Sequence, residues 1–470
     1  MGVHIPNPNF RDHIGTIDES GKRKFLYPRK TNGKFTNYRR IASYILLAIL
    51  IFTPFIQIDG EPFMMFNIIE RKFILFGKIF WPEDFLLALV AMLIGVLFIA
   101  VFTVAFGRLF CGWICPQTIF MEHVFRRIEY WIDGDRNQQM RLAKMKWNAE
   151  KIRKRVFKNG IFFAISFGIS NIFLMYIIGR DAWWEIVSDN PVNHIAGLAS
   201  MLIFTGVFFF VFAWFREQVC IIVCPYGRLQ SVLLDRNSIV IAYDYVRGEI
   251  RSKFKKSEDR EAVGKGDCID CNQCVEVCPT GIDIRNGTQL ECINCTACMD
   301  ACDHVMDKID RPRGLIRYDS ENNIANNTKK ILTTRVIGYL GVLVILTGLF
   351  GFLLAGRTAV DTLILRTPGQ LYQKVSADTL SNLYNYKMVN KTAEDMELEV
   401  KLLEPKGRLQ LIGANPIELG KGDLSEGAMI IFLAKDDLES NNTDLKIGIF
   451  KQGVMIDEVE TSFNGPIVRR

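Results

Sequence analysis

Five stretches of the chain are apolar and uncharged over the length of a membrane-spanning helix, which takes roughly 20 residues. They are Ile41–Ile58, Phe85–Phe106, Gly160–Gly179, Ile195–Phe215 and Val336–Gly356. Charged residues end each stretch, so five separate buried core helices are a poor alternative. We therefore predict a polytopic α-helical membrane protein with five spans, whose first partner is the lipid bilayer.

Lys and Arg are distributed unevenly around these stretches. The N-terminal tail and the loop Gly107–Asn159 are rich in basic residues, whereas the loop Asp181–His194 contains neither Lys nor Arg. Because basic loops stay in the cytoplasm, the N-terminus, the Gly107 loop and the segment after Phe215 are predicted to be cytoplasmic. The tail after Gly356 is then predicted to be periplasmic. Basic residues clustered around apolar spans indicate membrane topology, so no nucleic-acid partner is expected.

Short alternating runs of apolar and polar residues fill the C-terminal tail. Met396–Leu402 is one such run, and turn signals such as Gly407 and Gly420–Asp423 separate it from the next. Short strands at this spacing predict a β-sandwich. The tail contains no Cys and no His, which makes it a poor candidate for a metal site.

Twelve cysteines occur in three groups, and eight of them repeat one spacing. Cys268–Pro279 has the pattern C-x2-C-x2-C-x3-C-P, which returns in Cys292–Cys302 with Asp303 in place of the final Pro. Three cysteines spaced in this way wrap around three corners of a cubane, while the fourth ligates the neighbouring cluster. We therefore predict a bacterial-type ferredoxin-like domain with two [4Fe–4S] clusters. The predicted ligands are Cys268, Cys271, Cys274 and Cys302 for the first cluster, and Cys292, Cys295, Cys298 and Cys278 for the second.

Zinc and disulfides are the alternatives for these eight cysteines. Zinc also binds C-x2-C pairs, but a four-ligand zinc site does not need a doubled triplet-plus-one pattern. Disulfide frameworks are typical of small secreted domains, whereas this chain has 470 residues, is 49% hydrophobic and has a polar, basic N-terminal tail. Metal ligation in a reducing compartment is the better interpretation.

The remaining four cysteines form two C-x3-C-P pairs, each just after a predicted span. Cys111 and Cys115 follow the second span, and Cys220 and Cys224 follow the fourth. Positions i and i+4 share one face of a helix, so each pair is expected to present two thiolates at a similar depth near the cytoplasmic interface. Facing pairs could bind a soft metal such as Cu(I) or a further iron–sulfur centre. Redox-active dithiols and plain packing residues are the other interpretations.

These patterns divide the chain into five predicted segments. They are a basic cytoplasmic tail (1–40), a four-span membrane domain with the C-x3-C-P pairs (41–235), a cytoplasmic ferredoxin-like domain (236–330), a fifth transmembrane helix (331–357) and an outer β-sandwich (358–470).

The motifs together resemble the cytochrome c oxidase accessory protein family, CcoG, also called FixG or RdxA. The resemblance rests on Tyr27–Arg29, Phe110–Thr118, Cys224–Ser231, Gly266–Cys271, Pro279–Gly287 and Arg311–Tyr318. One departure is Ile250, where the family pattern would have Pro.

The resemblance implies an immunoglobulin-like outer domain and a location in the bacterial inner membrane. It also implies a role in the assembly of a cbb-type cytochrome c oxidase, in which Cu(II) is reduced to Cu(I). The expected partners are oxidase subunits or copper chaperones, with a cytoplasmic electron donor.

Three functions therefore compete. The leading hypothesis is an electron-transfer protein that acts as a cupric reductase, with copper at Cys111, Cys115, Cys220 and Cys224 and no assigned acid or base. The second is a quinol-linked respiratory polyferredoxin, and the third is a non-catalytic assembly scaffold that binds an oxidase subunit through the outer domain.

Overall fold

The computed structural model describes residues 15–466, apart from residues 18–19, 59, 69–71, 257, 331, 370, 393, 414–415 and 439. Residues 1–14 of the predicted tail and 467–470 of the predicted sandwich therefore lie outside the described residues. The helices are α1 (Lys34–Phe52), α2 (Phe85–Phe106), α3 (Leu109–Trp113), α4 (Pro116–Ile119), α5 (Arg126–Ile132), α6 (Arg136–Lys144), α7 (Ala149–Ile178), α8 (Arg180–Ser188), α9 (Ile195–Phe210), α10 (Pro225–Leu233), α11 (Tyr245–Gly248), α12 (Gln273–Glu276), α13 (Ala297–Lys308), α14 (Glu321–Asn326) and α15 (Thr334–Ala355).

The strands belong to several separate sheets. They are β1 (Gln57–Ile58), β2 (Glu61–Pro62), β3 (Met64–Asn67), β4 (Lys72–Leu75), β5 (Lys78–Phe80), β6 (Val240–Tyr243), β7 (Ile316–Asp319), β8 (Val360–Arg366), β9 (Gln373–Lys374), β10 (Thr379–Asn390), β11 (Met396–Glu404), β12 (Gly407–Ile412), β13 (Ile417–Leu419), β14 (Leu424–Ala434), β15 (Asn442–Lys451) and β16 (Val454–Asn464).

Five helices within the described residues are long and apolar enough to cross a membrane, as predicted. They are Lys34–Phe55, Phe85–Phe106, Ala149–Ile178, Pro191–Phe215 and Thr334–Ala355. These helices are consistent with a membrane protein.

The first membrane helix differs from its predicted bounds at both ends. Helix α1 begins at Lys34, inside the basic segment, and ends at Phe52, six residues before Ile58. Pro54 explains the early end, because proline has no N–H to donate and disfavours helical geometry at the residue before it. A short 3-10 turn and strand β1 replace the predicted end of the span.

The chain divides into two compact units. The first contains Met1–Phe52, Met92–Leu174 and Ile186–Thr347, and the second contains Thr53–Ala91, Met175–Glu185 and Gly348–Arg470.

In the first unit, the ferredoxin-like segment is closed by a pair of short strands. Strands β6 and β7 are antiparallel, with Val240 opposite Asp319 and Tyr243 opposite Ile316. They therefore join the two ends of the cysteine-rich segment. Its core contains seven of the eight cysteines, all but the exposed Cys271, together with apolar side chains such as Met306, which is 1% exposed.

The membrane part of the first unit has an aromatic core around a π-helical turn, Phe120–Phe125. The rings of Phe125 and Phe212 stack at 4.5 Å, and Phe125 meets Phe162 edge to face at 4.8 Å. Aromatic pairs at these distances gain energy beyond simple burial, so the segment after Cys115 is packed firmly against the membrane helices.

The second unit contains the predicted β-sandwich, which is confirmed. One sheet has the order β12-β14-β10-β8, with β9 paired to β10, and the other has the order β13-β11-β15-β16. Buried and exposed residues alternate along β11, as expected for a strand with one face on a core. Tyr384, which is fully buried in this core, donates its hydroxyl to the Ser462 carbonyl at 3.0 Å.

Candidate functional site

Four cysteines lie around one cavity at the surface of the ferredoxin-like segment. Cys268, Cys271, Cys274 and Cys302 line it together with apolar side chains, and Cys271 is exposed to solvent. The backbone takes left-handed conformations at Asp270 and Asn272, on either side of Cys271. Asp and Asn tolerate this conformation, which lets the loop curl around the cavity.

A second cavity is built in the same way. Cys278, Cys292, Cys295 and Cys298 line it, and Cys274 borders it as well. Its loop is left-handed at Asn294 and Thr296, the same positions relative to the cysteines as in the first loop. The shared spacing of the two motifs therefore produces two copies of one local backbone path.

Helix α13 connects the two cavities. It carries Cys298 and Cys302 one turn apart, and these two cysteines face different cavities. Cys278, which follows helix α12, lies at the cavity formed by the second loop. The structure thus brings the eight cysteines together in two groups of four.

The buried thiols need a positively charged partner to ionise. Burial raises the pKa of Cys274 and of Cys292 to about 12, and that of Cys295 to about 11. A bound metal favours the thiolate form. Four soft sulfur ligands around an apolar cavity fit a [4Fe–4S] cluster, for which cysteine thiolates are the usual ligands.

The C-x3-C-P pairs do not lie on continuous helices, which corrects the expectation from their spacing. Cys111 lies in α3, but Cys115 precedes α4 with φ −59° and ψ 123°. Cys220 lies in the π-helical turn Val219–Val223, and Cys224 precedes α10 with φ −66° and ψ 113°. The following prolines cause these breaks, because proline pushes the residue before it out of the helical region.

The four membrane cysteines nevertheless lie close enough to act on one another electrostatically. Each of Cys111 and Cys220 interacts electrostatically with Cys115 and Cys224, and with Arg108. The Cys111 thiol donates to Gln230 Oε1 at 3.5 Å. Among the described residues, no three His, Cys, Asp or Glu side chains are close enough to hold one metal ion in this conformation.

The two basic residues that precede the pairs act differently. Arg108 donates to the Gly227 carbonyl, and its charge opposes the effect of burial, which raises the pKa of Cys111 to about 11. Arg216 instead pairs with Glu129, which also contacts Lys158 at 3.2 Å. Buried charges need such partners, so Arg216 belongs to an ion-pair network that holds the loop after Cys115.

The first cysteine pair packs directly on the second cluster loop, which is the loop that carries Cys292 and Cys295. A Cβ atom at Gly112 would overlap the Ile293 carbonyl oxygen, so only glycine fits at position 112. Trp113 Nε1 donates to the Asn294 carbonyl at 3.3 Å. Cys220 also shares a small cavity with Ile293. Both pairs therefore lie beside the loop that carries Cys292 and Cys295.

Sequence reasoning missed two residues that connect α1 to this site. Arg39 Nε donates to the Gly112 carbonyl at 2.7 Å, and Asp300 accepts from the N–H groups of Phe35 and Thr36 at 3.1 and 2.6 Å. Arg39 stands among other basic residues before an apolar run, so no spacing distinguishes it. Asp300 was visible as a charged residue inside the second motif.

Comparison with known proteins places these features in a family. A family model described as a 4Fe-4S dicluster domain matches residues 215–321, and one described as a 4Fe-4S binding domain matches residues 88–137, which include Cys111 and Cys115. A model of the IG-like fold at the C-terminal of FixG matches residues 350–466.

Relatives match along most of the chain. Protein RdxA of Cereibacter sphaeroides is 31% identical over 469 residues, which cover 94% of this chain and 97% of RdxA. The chain belongs to the FixG/RdxA family. Protein RdxB of the same organism is 32% identical over 401 residues, covering 81% of this chain and 82% of RdxB. The nitrogen fixation protein FixG of Rhizobium meliloti is 34% identical over 313 residues, covering 65% of this chain and 59% of FixG.

Among solved structures, a FixG-related protein from Vibrio parahaemolyticus is 23% identical, covering 23% of this chain and 97% of that chain, with a TM-score of 0.20. The dicluster family model covers all eight cysteines of the repeated spacing and confirms the two [4Fe–4S] clusters expected from it. The family models and the FixG/RdxA relatives support an electron-transfer role for this chain.

Proposed function

We propose that this chain reduces Cu(II) to Cu(I) for the assembly of a cbb-type cytochrome c oxidase. One observation carries the proposal: both membrane cysteine pairs lie directly beside the second cluster loop. Gly112, between Cys111 and Cys115, contacts the Ile293 carbonyl, and Cys220 borders a cavity shared with Ile293. A copper ion bound by these thiolates would thus be next to an electron carrier.

The chemistry of sulfur supports copper as the substrate. Thiolates are soft ligands that prefer Cu(I) over Cu(II), so Cys111, Cys115, Cys220 and Cys224 would bind the product better than the substrate. When bound, the two clusters supply one-electron carriers. Each Cu(II) exchanges its water ligands for thiolates, takes up one electron that a cytoplasmic donor protein has supplied to the clusters, and becomes Cu(I).

The proposed setting is the inner membrane of a bacterium. The excess of Lys and Arg in the N-terminal tail and in Gly107–Asn159 favours a cytoplasmic location for the clusters. The β-sandwich after the fifth span would then be periplasmic. There it would contact an oxidase subunit or a copper chaperone that receives Cu(I).

Anaerobic transfer of electrons to copper tests this proposal. Purified protein is reduced, freed of excess reductant and mixed with Cu(II) in the presence of a coloured Cu(I) chelator. We expect about two Cu(I) per chain, one for each cluster that gives up an electron. Clusters that stay reduced in the presence of Cu(II) would contradict the proposal.

A double variant provides the matched control. Cys111→Ser with Cys220→Ser leaves the eight cluster ligands unchanged, so the iron and sulfide content should match the wild type while Cu(I) formation falls to the background rate. Equal Cu(I) formation by this variant would overturn the role of the membrane cysteines. Rapid reoxidation by a quinone in liposomes would favour the respiratory alternative. Normal oxidase assembly in cells that carry a variant with one ligand of each cluster replaced, Cys268→Ser with Cys292→Ser, would favour the scaffold.

A further inference from the structure

Arg39 is a buried cation that contacts both the first membrane cysteine pair and the second cluster loop. It lies in helix α1 and is 6% exposed. Its Nε donates to the Gly112 carbonyl at 2.7 Å, and its Nη1 makes a longer contact of 3.5 Å with the Cys295 carbonyl. One guanidinium group therefore connects the first membrane cysteine pair to the second cluster loop.

Arg108 is a second buried cation in the same place. It is 6% exposed, donates to the Gly227 carbonyl and lines a cavity with Cys292. Its charge acts on Cys292 and also on Cys111. Like Arg39, it thus lies between the second cluster loop and the membrane cysteines.

Neither charge has an ion-pair partner within the described part of the chain. Among the residues that the structure describes, no carboxylate lies within ion-pair distance of Arg39 or Arg108, and both have carbonyl oxygens as hydrogen-bond acceptors. Buried cations are normally paired with carboxylates because desolvation is costly. Two unpaired cations at one place therefore indicate that negative charge is held between them.

The first cluster loop, which carries Cys268 and Cys271, has fewer unpaired cations around it than the second cluster loop. Arg260, which is 2% exposed, donates to the Cys268 carbonyl at 3.0 Å. Arg285, however, is paired with Asp283 at 2.6 Å, and the carboxylate of Asp303 acts on Cys302. Each loop has one unfavourable carboxylate nearby, because Glu122 acts on Cys295 of the second loop while pairing with Arg126 at 3.0 Å. The loops differ in their cations: the first has one unpaired cation and the second has two.

We infer that Arg39 and Arg108 are positioning residues that raise the reduction potential of the second cluster above that of the first. Reduction adds one negative charge to a cluster, and a buried positive charge nearby stabilises the reduced form. The order of potentials directs an electron from the solvent-exposed first site to the second, where the first is oxidised and the second is reduced by one electron. No proton moves and no bond breaks.

This inference rests on the electron-transfer part of the proposed function and not on copper. It is tested by EPR-monitored redox titration of the full-length protein without copper, so its failure is separate from a failure to reduce Cu(II). The variants are Arg39→Gln, Arg39→Lys, Arg108→Gln and, as the matched control at the first cluster, Arg260→Gln. Gln removes the charge but can still donate a hydrogen bond, and Lys keeps the charge but loses the fork geometry.

The wild type should show two potentials. We expect Arg39→Gln and Arg108→Gln to lower the higher potential only, Arg260→Gln to lower the lower one only, and Arg39→Lys to remain near the wild type. If Arg39→Gln does not assemble clusters, the potentials of Arg108→Gln and Arg39→Lys test the inference instead. An unchanged higher potential in the charge-removing variants, or an equal shift of both potentials, overturns the inference.

Discussion

At the scale of single residues, Gly112 determines how closely the first membrane cysteine pair approaches the second cluster loop. Its Cα faces the carbonyl oxygens of Ile293 and Asn294, and a methyl group there would overlap them. Overpacking of a tight contact costs about 1–3 kcal/mol. Gly112→Ala should therefore push α3 away from the loop without touching a cluster ligand.

The expected result for Gly112→Ala is a normal iron and sulfide content with a several-fold slower formation of Cu(I), measured by the anaerobic chelator assay. Gly168→Ala is the matched control, because a methyl group at Gly168 meets no atom within 4 Å. It should leave the rate of Cu(I) formation unchanged. A wild-type rate for Gly112→Ala would show that this contact does not carry electrons to the cysteines.

At the scale of elements, Asp300 connects a helix of the ferredoxin-like segment to the start of a membrane helix. Its carboxylate accepts the N–H groups of Phe35 and Thr36, two of the donors that a helix N-terminus leaves unpaired. Gly33 makes this approach possible, since a side chain there would overlap Asp300. The capping residue of α1 thus comes from α13, between Cys298 and Cys302.

Asp300→Ala should loosen this connection. Loss of a helix cap costs about 0.5–2 kcal/mol, so bleaching of the cluster absorbance on heating should begin at a lower temperature than in the wild type. Asp307→Ala on the same helix is the control, because Asp307 pairs with Arg313 near the surface. If the two variants bleach at the same temperature, the cap does not stabilise the cluster segment.

The elements also show what the sequence could and could not predict. Apolar length predicted the five spans, and the cysteine spacing predicted the clusters, because both patterns are local. The break at Cys115 was also local: Pro116 forbids the continuous helix that the i, i+4 spacing suggested. By contrast, Arg39 contacts Gly112, which lies 73 positions later in the chain, and Cys295, which lies 256 positions later. No pattern in a single sequence specifies such pairs.

At the scale of the whole molecule, each of the two units has its own buried ionic connections. In the second unit, Asp84 lies just before α2, and its side chain is 5% exposed. Its carboxylate is 2.7 Å from both Arg357 Nη2 and Lys391 Nζ. It therefore joins the start of one membrane helix, the end of another and the β-sandwich.

Asp84 should make the stability of the second unit sensitive to acid. Burial alone would raise its pKa, but Arg357 and Lys391 lower the pKa below the ordinary value of 3.8. The carboxylate therefore stabilises the fold above about pH 3.8, and this stabilisation is lost as the pH falls through the lowered native pKa. Asp84→Asn takes the carboxylate partner from Arg357 and leaves Lys391 with Asp361 alone, at 2.9 Å. It should cost about 3 kcal/mol at neutral pH.

Hydrogen exchange of the β8 and β10 peptides in detergent measures this effect. Exchange should be faster in Asp84→Asn at pH 7, and the difference from the wild type should shrink at acidic pH, where the wild type loses the same interaction. Asp181→Asn, whose side chain is 76% exposed, should exchange like the wild type. A constant difference across the pH range would contradict the role of the Asp84 carboxylate.

The distribution of Lys and Arg predicts the orientation of the whole chain in the membrane. Five spans with a cytoplasmic N-terminus would put the C-terminal β-sandwich outside the cytoplasm, and the basic residues of Gly107–Asn159 favour that orientation. Alkaline phosphatase fused after Pro466 should be active, and green fluorescent protein fused there should be dark. The same reporters fused after Ser320, before α15, should give the opposite pair of signals. Fluorescence from the fusion after Pro466 would reverse the orientation, and electrons would then have to come from the periplasmic side.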